Sequence, residues 1–393
     1  MEIDPATLRG DWKYPTSVRF GPGRIDELPG ACRSLGMTRP LLVTDPGLLE
    51  LPMTAGTLGT VQSAGLAATV YSDVKGNPVA RNVIDGVAVY RENGCNGVIA
   101  FGGGSSIDAA KAIANLAGQT RPIWDFTIIG EDVDVDDIAP PAPLIAVPTT
   151  AGTGSEVSRG AIIIDEEAQT KRNVSHPDAM PNLAIIDPEL TLDLPADITA
   201  ATGMDALSHN LEAYCTRQFH PFSESVALGG MRLIKEWLSV AVRDGGNLAA
   251  RTYMMAASSM GAVAFQKGLG GMHAMSHPIG AVHDVHHGLT NGVVMPYVLA
   301  FNRPAIEERM TTLARHLGLP NPSFDAVLDW VVALRRDIGI PHTLSDVGIR
   351  DEHAGRLAAM TARERPGRNN PVPLGETESR RLYAMAINGE LEA

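Results

Sequence analysis

Cysteine is scarce: Cys32, Cys95 and Cys215 are the only three in 393 residues, and no two form a CxxC pair. An odd, scattered set excludes a disulfide frame and a zinc knuckle, and reads as reduced thiols in a cytoplasmic protein. Positive charge is also in deficit, with 32 Lys and Arg against 45 Asp and Glu for a net charge of −13. Nucleic-acid binding leans on clustered cations, so a phosphate-backbone partner is excluded. No apolar run reaches the roughly 18 residues of a membrane span, which excludes a membrane partner of that kind. Met1-Glu2-Ile3-Asp4-Pro5 lacks the basic and apolar regions of a secretory leader. What is there, 44% hydrophobic and 20% charged residues, is enough to bury the core of two domains or of one large α/β enzyme.

The first half alternates short apolar runs with helix-compatible segments. Residues 41–45, 97–101, 143–147 and 183–187 are continuously apolar and bounded by Gly, Pro or Asp. Continuous rather than alternating character predicts strands covered on both faces, hence a mostly parallel sheet. Helix-compatible stretches such as 79–93 and 106–117 lie between them, the pattern of a wound α/β domain.

Two turns here carry chemistry. Phe101-Gly102-Gly103-Gly104-Ser105-Ser106-Ile107-Asp108 joins a strand to an Ala-rich helix. Its glycines let a ligand approach the backbone, and the helix start offers N–H groups to a phosphate. It is not the GxGxxG fingerprint, and a tight bend with no ligand has the same appearance. Pro148-Thr149-Thr150-Ala151-Gly152-Thr153-Gly154-Ser155-Glu156 also follows an apolar run, and its hydroxyls suit pyrophosphate or ribose, although such loops are common connectors. Asp45 ends the first run. A carboxylate there accepts from an adenosine ribose and favours NAD(H) over its 2′-phosphate analogue, while Asp45-Pro46 equally reads as a turn or helix cap.

From about Pro188 the apolar period changes to three and four. Met231, Ile234, Leu238 and Ala241 mark one amphipathic helix, and Val327, Val331, Leu334 and Ile338 another. No convincing strand follows residue 190. The expected architecture is an α/β dinucleotide-binding domain over residues 1–190 and an all-α metal-binding domain over residues 191–393. Five of the eleven histidines fall between 273 and 287. Asp205 and His209 are four apart, as are His273 and His277, so each pair shares a helix face; His287 lies beyond a Pro-Gly break. A carboxylate with several imidazoles suits Fe(II) or Zn(II) and leaves room for a substrate oxygen. Spacing alone does not say which histidines are ligands. His283 and His286 have no partner spacing and read as surface or supporting residues.

Taken together, these motifs resemble the iron-containing alcohol dehydrogenase family over nearly the whole length, from Val18-Arg19-Phe20-Gly21-Pro22-Gly23 to the last helices. They are Gly102-Gly103-Gly104-Ser105 with Asp108 and Lys111, the 148–156 loop, Asp205-x-x-x-His209, His273-x-x-x-His277 and His287-Gly288. The resemblance implies the dehydroquinate synthase-like fold of that family, with metal ligands Asp205, His209, His273 and His287. It places His277 near the nicotinamide, where it is the candidate proton relay. It sets Gly103, Gly104, Ser105, Asp108, Thr149, Thr150 and Lys171 against the dinucleotide, beside Gly102 and Thr153 of the same turns. The implied chemistry is metal-assisted hydride transfer between NAD(H) and a small primary alcohol or aldehyde, with Fe(II) as the family metal and Zn(II) tolerated by the ligand set. The family commonly forms homodimers or larger homo-oligomers.

One segment departs from the pattern. Many members read Ala-Phe-Ser-Asn and one more residue before Gly-Leu-Gly, whereas this chain has Ala264-Phe265-Gln266-Lys267-Gly268-Leu269-Gly270. Phe265 is expected to line the substrate pocket. Lys267 points to an anionic substrate tail, as in a hydroxy acid or semialdehyde, unless it is a solvated lysine or pairs with a nearby acid. Arg363, Arg365 and Arg368 are weaker cations of the same kind. Other readings are a glycerol-dehydrogenase-like or dehydroquinate-synthase-like enzyme, which normally uses three protein ligands, and a metal-dependent hydrolase, which leaves the glycine turns and Asp45 without a role.

Overall fold

The computed structural model describes residues 16–127 and 138–391. Met1–Pro5, read above for a leader, lies outside them. The chain divides into two compact units: Pro15–Leu194 with Gly246–Met255, and Pro195–Gly245 with Ala256–Ala393.

The first unit holds a six-stranded parallel sheet, ordered β1-β8-β5-β4-β2-β3. Its strands are β1 (Ser17–Phe20), β2 (Pro40–Val43), β3 (Thr69–Tyr71), β4 (Gly97–Gly102), β5 (Leu144–Pro148) and β8 (Leu183–Ile186). A separate antiparallel pair, β6 (Ala161–Asp165) and β7 (Thr170–Val174), runs with Ala161 opposite Val174. The helices are α1 (Leu28–Ser34), α2 (Pro46–Leu49), α3 (Pro52–Ser63), α4 (Ala80–Glu92) and α5 (Gly104–Leu116). Alternate residues of the central strands feed two cores. Leu41, Val98, Ala100 and Ala146 pack with Val83 of α4 and Ile107 of α5. Leu42, Ile99, Phe101 and Val147 pack with Leu28 of α1 and Val61 of α3. Both faces are therefore covered, which is why these strands read as unbroken apolar runs.

The strand order has a switch. β2 leads to β3 on one side, while β4 leads through α5 to β5 on the other, so the two connections diverge at the carboxyl ends of β2 and β4. Ligands of open α/β sheets bind at such a point. Asp45 and the Gly102–Gly104 turn both lie there.

The second unit contains no strand among the described residues. Its helices are α6 (Ala196–Cys215), α7 (Pro221–Arg243), α8 (Leu248–Ala264, which begins at residues grouped with the first unit), α9 (Gly271–His283), α10 (His287–His316), α11 (Phe324–Asp337), α12 (Asp351–Thr361) and α13 (Glu376–Asn388). The apolar positions predicted on α7 and α11 are buried. α6 differs from these amphipathic helices, being buried without a break from Thr199 to Cys215. A helix covered all round sits inside its unit, so the polar side chains it carries need partners. Among the described residues no helix is long and apolar enough to cross a membrane.

Candidate metal and dinucleotide sites

Asp205, His209 and Glu212 occupy positions i, i+4 and i+7 of α6 and so share one face. α9 starts against that face. Glu212 Oε2 accepts from the Gly270 N–H (2.8 Å) and Oε1 from the Met272 N–H, capping the helix from outside it. Asn370 Oδ1 takes the Gly271 N–H at 3.0 Å. A Cβ at Gly270 would lie 3.0–3.1 Å from Asn370 and Glu212, and Gly268 has φ +114°, so the Gly-Leu-Gly-Gly sequence is what lets α9 begin here.

The same Glu212 orients a ligand. His273 Nδ1–H donates to Glu212 Oε2 at 2.8 Å. A carboxylate only accepts, so Nδ1 carries the proton and the Nε2 lone pair faces the site. α10 brings in His287, and its close docking rests on Gly288, where a Cβ would lie 2.4 Å from the Ala201 carbonyl oxygen. The outcome is a convergent trio: one donor atom each from Asp205, His273 and His287, all within 4.8 Å of one another. One carboxylate and two imidazole nitrogens, one with its tautomer fixed, fit a divalent cation of borderline softness.

His209, the fourth expected ligand, stands outside that trio. Its ring stacks on His273 (centroids 4.6 Å, planes 29° apart) and meets Phe265 at 5.3 Å. Phe265 thus lies beside the site. His277, one turn after His273, points elsewhere: its Nδ1–H donates to Glu364 Oε2 at 2.9 Å, both side chains being largely buried. Its ring lies 5.7 Å from that of His287. His286 caps α10 through the Leu289 N–H, a structural duty.

Of the readings open for Lys267, the structure shows the pairing with a nearby acid. Its side chain is fully buried, with Nζ 2.8 Å from Glu224 Oε1 and donating to the Tyr214 carbonyl at 3.2 Å. A cation committed in this way does not greet a substrate anion. Burial lowers the Lys267 pKa, opposed by Glu224. Burial also pushes Glu224 up, but Lys267 and Arg309 more than offset this and hold it below 4.5. Lys267→Met should therefore destabilise the fold by about 1–3 kcal/mol at neutral pH, with Arg309 limiting the loss. Because the folded-state pKa of Glu224 is depressed, stability from its pairing is present above the ordinary carboxylate value and is lost as pH falls through the depressed one. Wild type and variant should converge as pH drops below 4.5. Urea melts at several pH values check this, and a pH-independent gap would sink it.

In the first unit, the glycine turn leads directly into α5. Gly103 is its N-cap, and the first helical bond runs from the Ile107 N–H to the Gly103 carbonyl, so the N–H groups of Gly104, Ser105 and Ser106 precede any helical acceptor. Gly102 has φ +152°. The 148–156 loop packs against the turn so tightly that a Cβ on Gly104 would lie 2.4 Å from Thr153, and one on Gly103 would lie 3.3 Å from Thr150. These bare glycines, faced by threonine hydroxyls at a helix N-terminus, form a cradle that fits a pyrophosphate. Thr149 follows β5 and is buried, its N–H donating to the Gly102 carbonyl.

Three residues have other tasks. Asp45 caps α2, accepting from the Leu48 N–H (3.0 Å), and takes the Ser106 hydroxyl at 3.2 Å. This ties the carboxyl ends of β2 and β4 together, and the half-exposed carboxylate keeps lone pairs for a further donor. Asp108, expected against the dinucleotide, uses its carboxylate within the protein. It accepts from the Ser155 hydroxyl and the Ile162 N–H and pairs with buried Lys111 at 3.1 Å, fastening α5 to the loop and to β6. Lys171 Nζ donates to Asn77 Oδ1 at 2.8 Å.

Glu212, Asn291 and Glu364 escaped the sequence reading. Glu212 and Asn291 were findable, one lying seven residues after Asp205 and the other four after His287; Glu364 has no spacing signal.

Residues 15–188 match the family model of iron-containing alcohol dehydrogenase, and residues 199–387 match that of the Fe-containing alcohol dehydrogenase family, C-terminal. The chain is 40% identical over 386 residues to 4-hydroxybutyrate dehydrogenase of Cupriavidus necator, covering 95% of this chain and 99% of that protein. Among solved structures it is similar to 1,3-propanediol oxidoreductase (TM-score 0.90, 34% identity, 96% of this chain and 99% of the other). It is also similar to sulfoacetaldehyde reductase from Bifidobacterium kashiwanohense in complex with NAD+ (TM-score 0.86, 30% identity, 96% and 99%). With the carboxylate–imidazole trio in a helical unit and the glycine cradle at the switch of a parallel sheet, the chain belongs to the iron-containing alcohol dehydrogenase family.

Proposed function

We propose that this protein is a metal-dependent oxidoreductase that moves a hydride between NAD(H) and a small primary alcohol or its aldehyde. The observation that carries the reading is the convergence of Asp205, His273 and His287, with Glu212 fixing the His273 tautomer. A divalent cation held there, Fe(II) by family and Zn(II) by donor chemistry, supplies Lewis-acid polarisation of the substrate oxygen. The Gly102–Gly104 turn, Ser105, Thr150 and Thr153 hold the pyrophosphate, and Asp45 takes the ribose, which disfavours a 2′-phosphate. Lys171 reaches a ribose of the dinucleotide.

His277 is assigned the proton transfer. Glu364 fixes its Nδ1–H, which makes Nε2 the nitrogen that exchanges a proton, one helical turn from a ligand. His209 completes the metal's protein ligands in the family pattern, and Phe265 beside it excludes water from the substrate's apolar part. Two of the similar proteins are named for substrates with an anionic end, a hydroxy acid and a sulfoaldehyde, which supports including such substrates. Lys267 is not the residue that would receive that end. Reduced buried cysteines fit a cytoplasmic enzyme, and a homodimer or larger homo-oligomer is part of the same reading.

The test is reconstitution. Protein stripped by a chelator is reloaded anaerobically with Fe(II) or with Zn(II). Reduced nicotinamide is then followed across short alcohols, diols, ω-hydroxy acids and their aldehydes. Turnover should return with metal and should favour NAD(H) over NADP(H). Undiminished turnover in the stripped protein, or no nicotinamide chemistry with any substrate, would refute the proposal.

A further inference from the structure

The ligand-bearing helices α6, α9 and α10 share a partner outside the ligand set, the tripeptide Asn369-Asn370-Pro371. It follows a 3-10 turn over Pro366–Asn369, and the proline keeps Asn370 out of the helical region (φ −60°, ψ 137°), so the chain leaves that turn extended. Asn370 is buried, and its amide is fully used. Oδ1 accepts from the Gly271 N–H at the start of α9 (3.0 Å) and from Asn302 Nδ2 of α10 (2.9 Å). Nδ2 donates to Asn302 Oδ1 and to the Val372 carbonyl, both at 2.7 Å. A backbone N–H only donates and a backbone carbonyl only accepts, so these contacts fix which end of the Asn370 amide is oxygen, and its two lone pairs and two hydrogens each have one partner. The flanking residues hold the chain just past α6: Arg217 donates to the Pro371 carbonyl, and Gln218 Nε2 donates to Asn369 Oδ1 at 3.1 Å.

We propose that Asn370 is a positioning residue for the metal centre: with Asn302 it sets the register of α9 against α10, and hence the separation of His273 from His287. α9 starts hard against α10, since a Cβ at Gly271 would lie 3.1 Å from Val298 Cγ1. Apolar contact has no direction, so it does not fix how far α9 has advanced along α10; the paired amides do. Near the ligands α10 meets α6 through Asn291, whose Nδ2 donates to Asp205 Oδ1 at 2.8 Å. Asn302 lies eleven residues further on, about 16 Å along the axis, and a second tie at that distance fixes the direction of the helix as well as one point on it. A slip of one residue moves a side chain about 1.5 Å along its helix, whereas a metal centre tolerates about 0.2 Å in ligand distance. The inference rests on the metal-ligand reading above.

The experiment compares wild type with Asn370→Ala, Asn302→Ala and, as a control for lost stability, Val331→Ala on the buried face of α11. Each is treated with a chelator and then titrated with Zn(II) or Co(II) alone. Melting temperature, chelator competition and the d–d spectrum of the Co(II) form are the readouts. Wild type binding close to one ion per chain supports the ligand reading itself, and failure there refutes that reading whatever the variants do. Asn370→Ala should melt lower, bind metal at least about tenfold more weakly and shift the Co(II) spectrum, because the ligands remain but their spacing changes. Asn302→Ala leaves Asn370 bonded to Gly271 and Val372 and should show the same changes to a smaller degree; it carries the test if Asn370→Ala does not fold. Val331→Ala should melt lower with the metal affinity and spectrum of wild type. Asparagine variants that melt lower yet keep wild-type metal affinity and spectrum would make the amide pair a packing device. An equal loss of affinity in Val331→Ala would make weaker binding a general result of lost stability. Either result overturns the proposal.

Discussion

His273→Ala should leave a folded protein that no longer retains its metal and turns over at least about a thousandfold more slowly. The size follows from what one imidazole does here. Its Nε2 is one of three convergent donors, and its Nδ1–H is the contact that sets that donor's direction. Losing it leaves Asp205 and His287 of the convergent trio and takes from His209 the ring it stacks on, leaving it beside Phe265. Lewis-acid stabilisation of the reacting oxygen amounts to several kcal/mol, and each ~1.4 kcal/mol is tenfold in rate. Folding should survive because Glu212 keeps the Gly270 and Met272 N–H groups, so the start of α9 stays capped. Metal content per chain, kcat/KM and a melting curve measured together make the check. A variant that holds one ion per chain with near-normal kcat/KM would remove His273 from the ligand set.

The second large effect is expected from a residue with no chemistry. Gly288→Ala adds a single methyl group, yet that Cβ would lie 2.4 Å from the Ala201 carbonyl oxygen and 3.0 Å from Asp205 Cβ. The nearest atom is backbone in the middle of buried α6, so no side-chain rotation relieves the contact; α10 must move off α6. Overpacking of this kind costs about 1–3 kcal/mol. Alanine recovers less than the ~1 kcal/mol of a helix interior, because the position is in the first turn of α10. His287 precedes Gly288 and Asp205 is the residue struck, so the displacement opens the His287–Asp205 distance, 3.6 Å between Nε2 and Oδ1. Metal affinity should fall at least about tenfold along with the melting temperature. A variant with wild-type melting and metal binding would show that α10 does not depend on this contact.

Both outcomes turn on how far a linear reading reaches. The four strands legible in the sequence are the interior ones, β2, β4, β5 and β8, whose residues feed cores on two faces. β1 and β3 went unread, and they are the two edges of the sheet. Val18 of β1 is 41% exposed, and β3 is only three residues long, so neither yields an apolar run. β7 escaped for a similar reason: Thr170–Val174 is polar and half-buried, and becomes a strand by pairing. β6 is a buried apolar run, Ala161–Asp165, that went unread although its composition shows it. The Asp45-Pro46 ambiguity resolves in both directions, since that carboxylate caps α2 and also faces the strand switch.

Composition, period and spacing determined the class of this protein: an α/β half followed by a helical half, a phosphate cradle, and a carboxylate–histidine cluster. Those features depend on residues within a turn or two of one another, and local geometry carries them. Which side chains meet was decided only by tertiary structure. For Lys267 the sequence left an anion contact and an acid partner both open, and packing supplied Glu224; for Asp108 it supplied Ser155 and Ile162, because a buried charge takes whatever partner the packing provides. Glu212, Glu364 and Asn291 became parts of the site because α9, α10 and the segment after α12 bring them there. Asn291 lies 86 residues from the carboxylate it holds, and no periodicity spans such a distance.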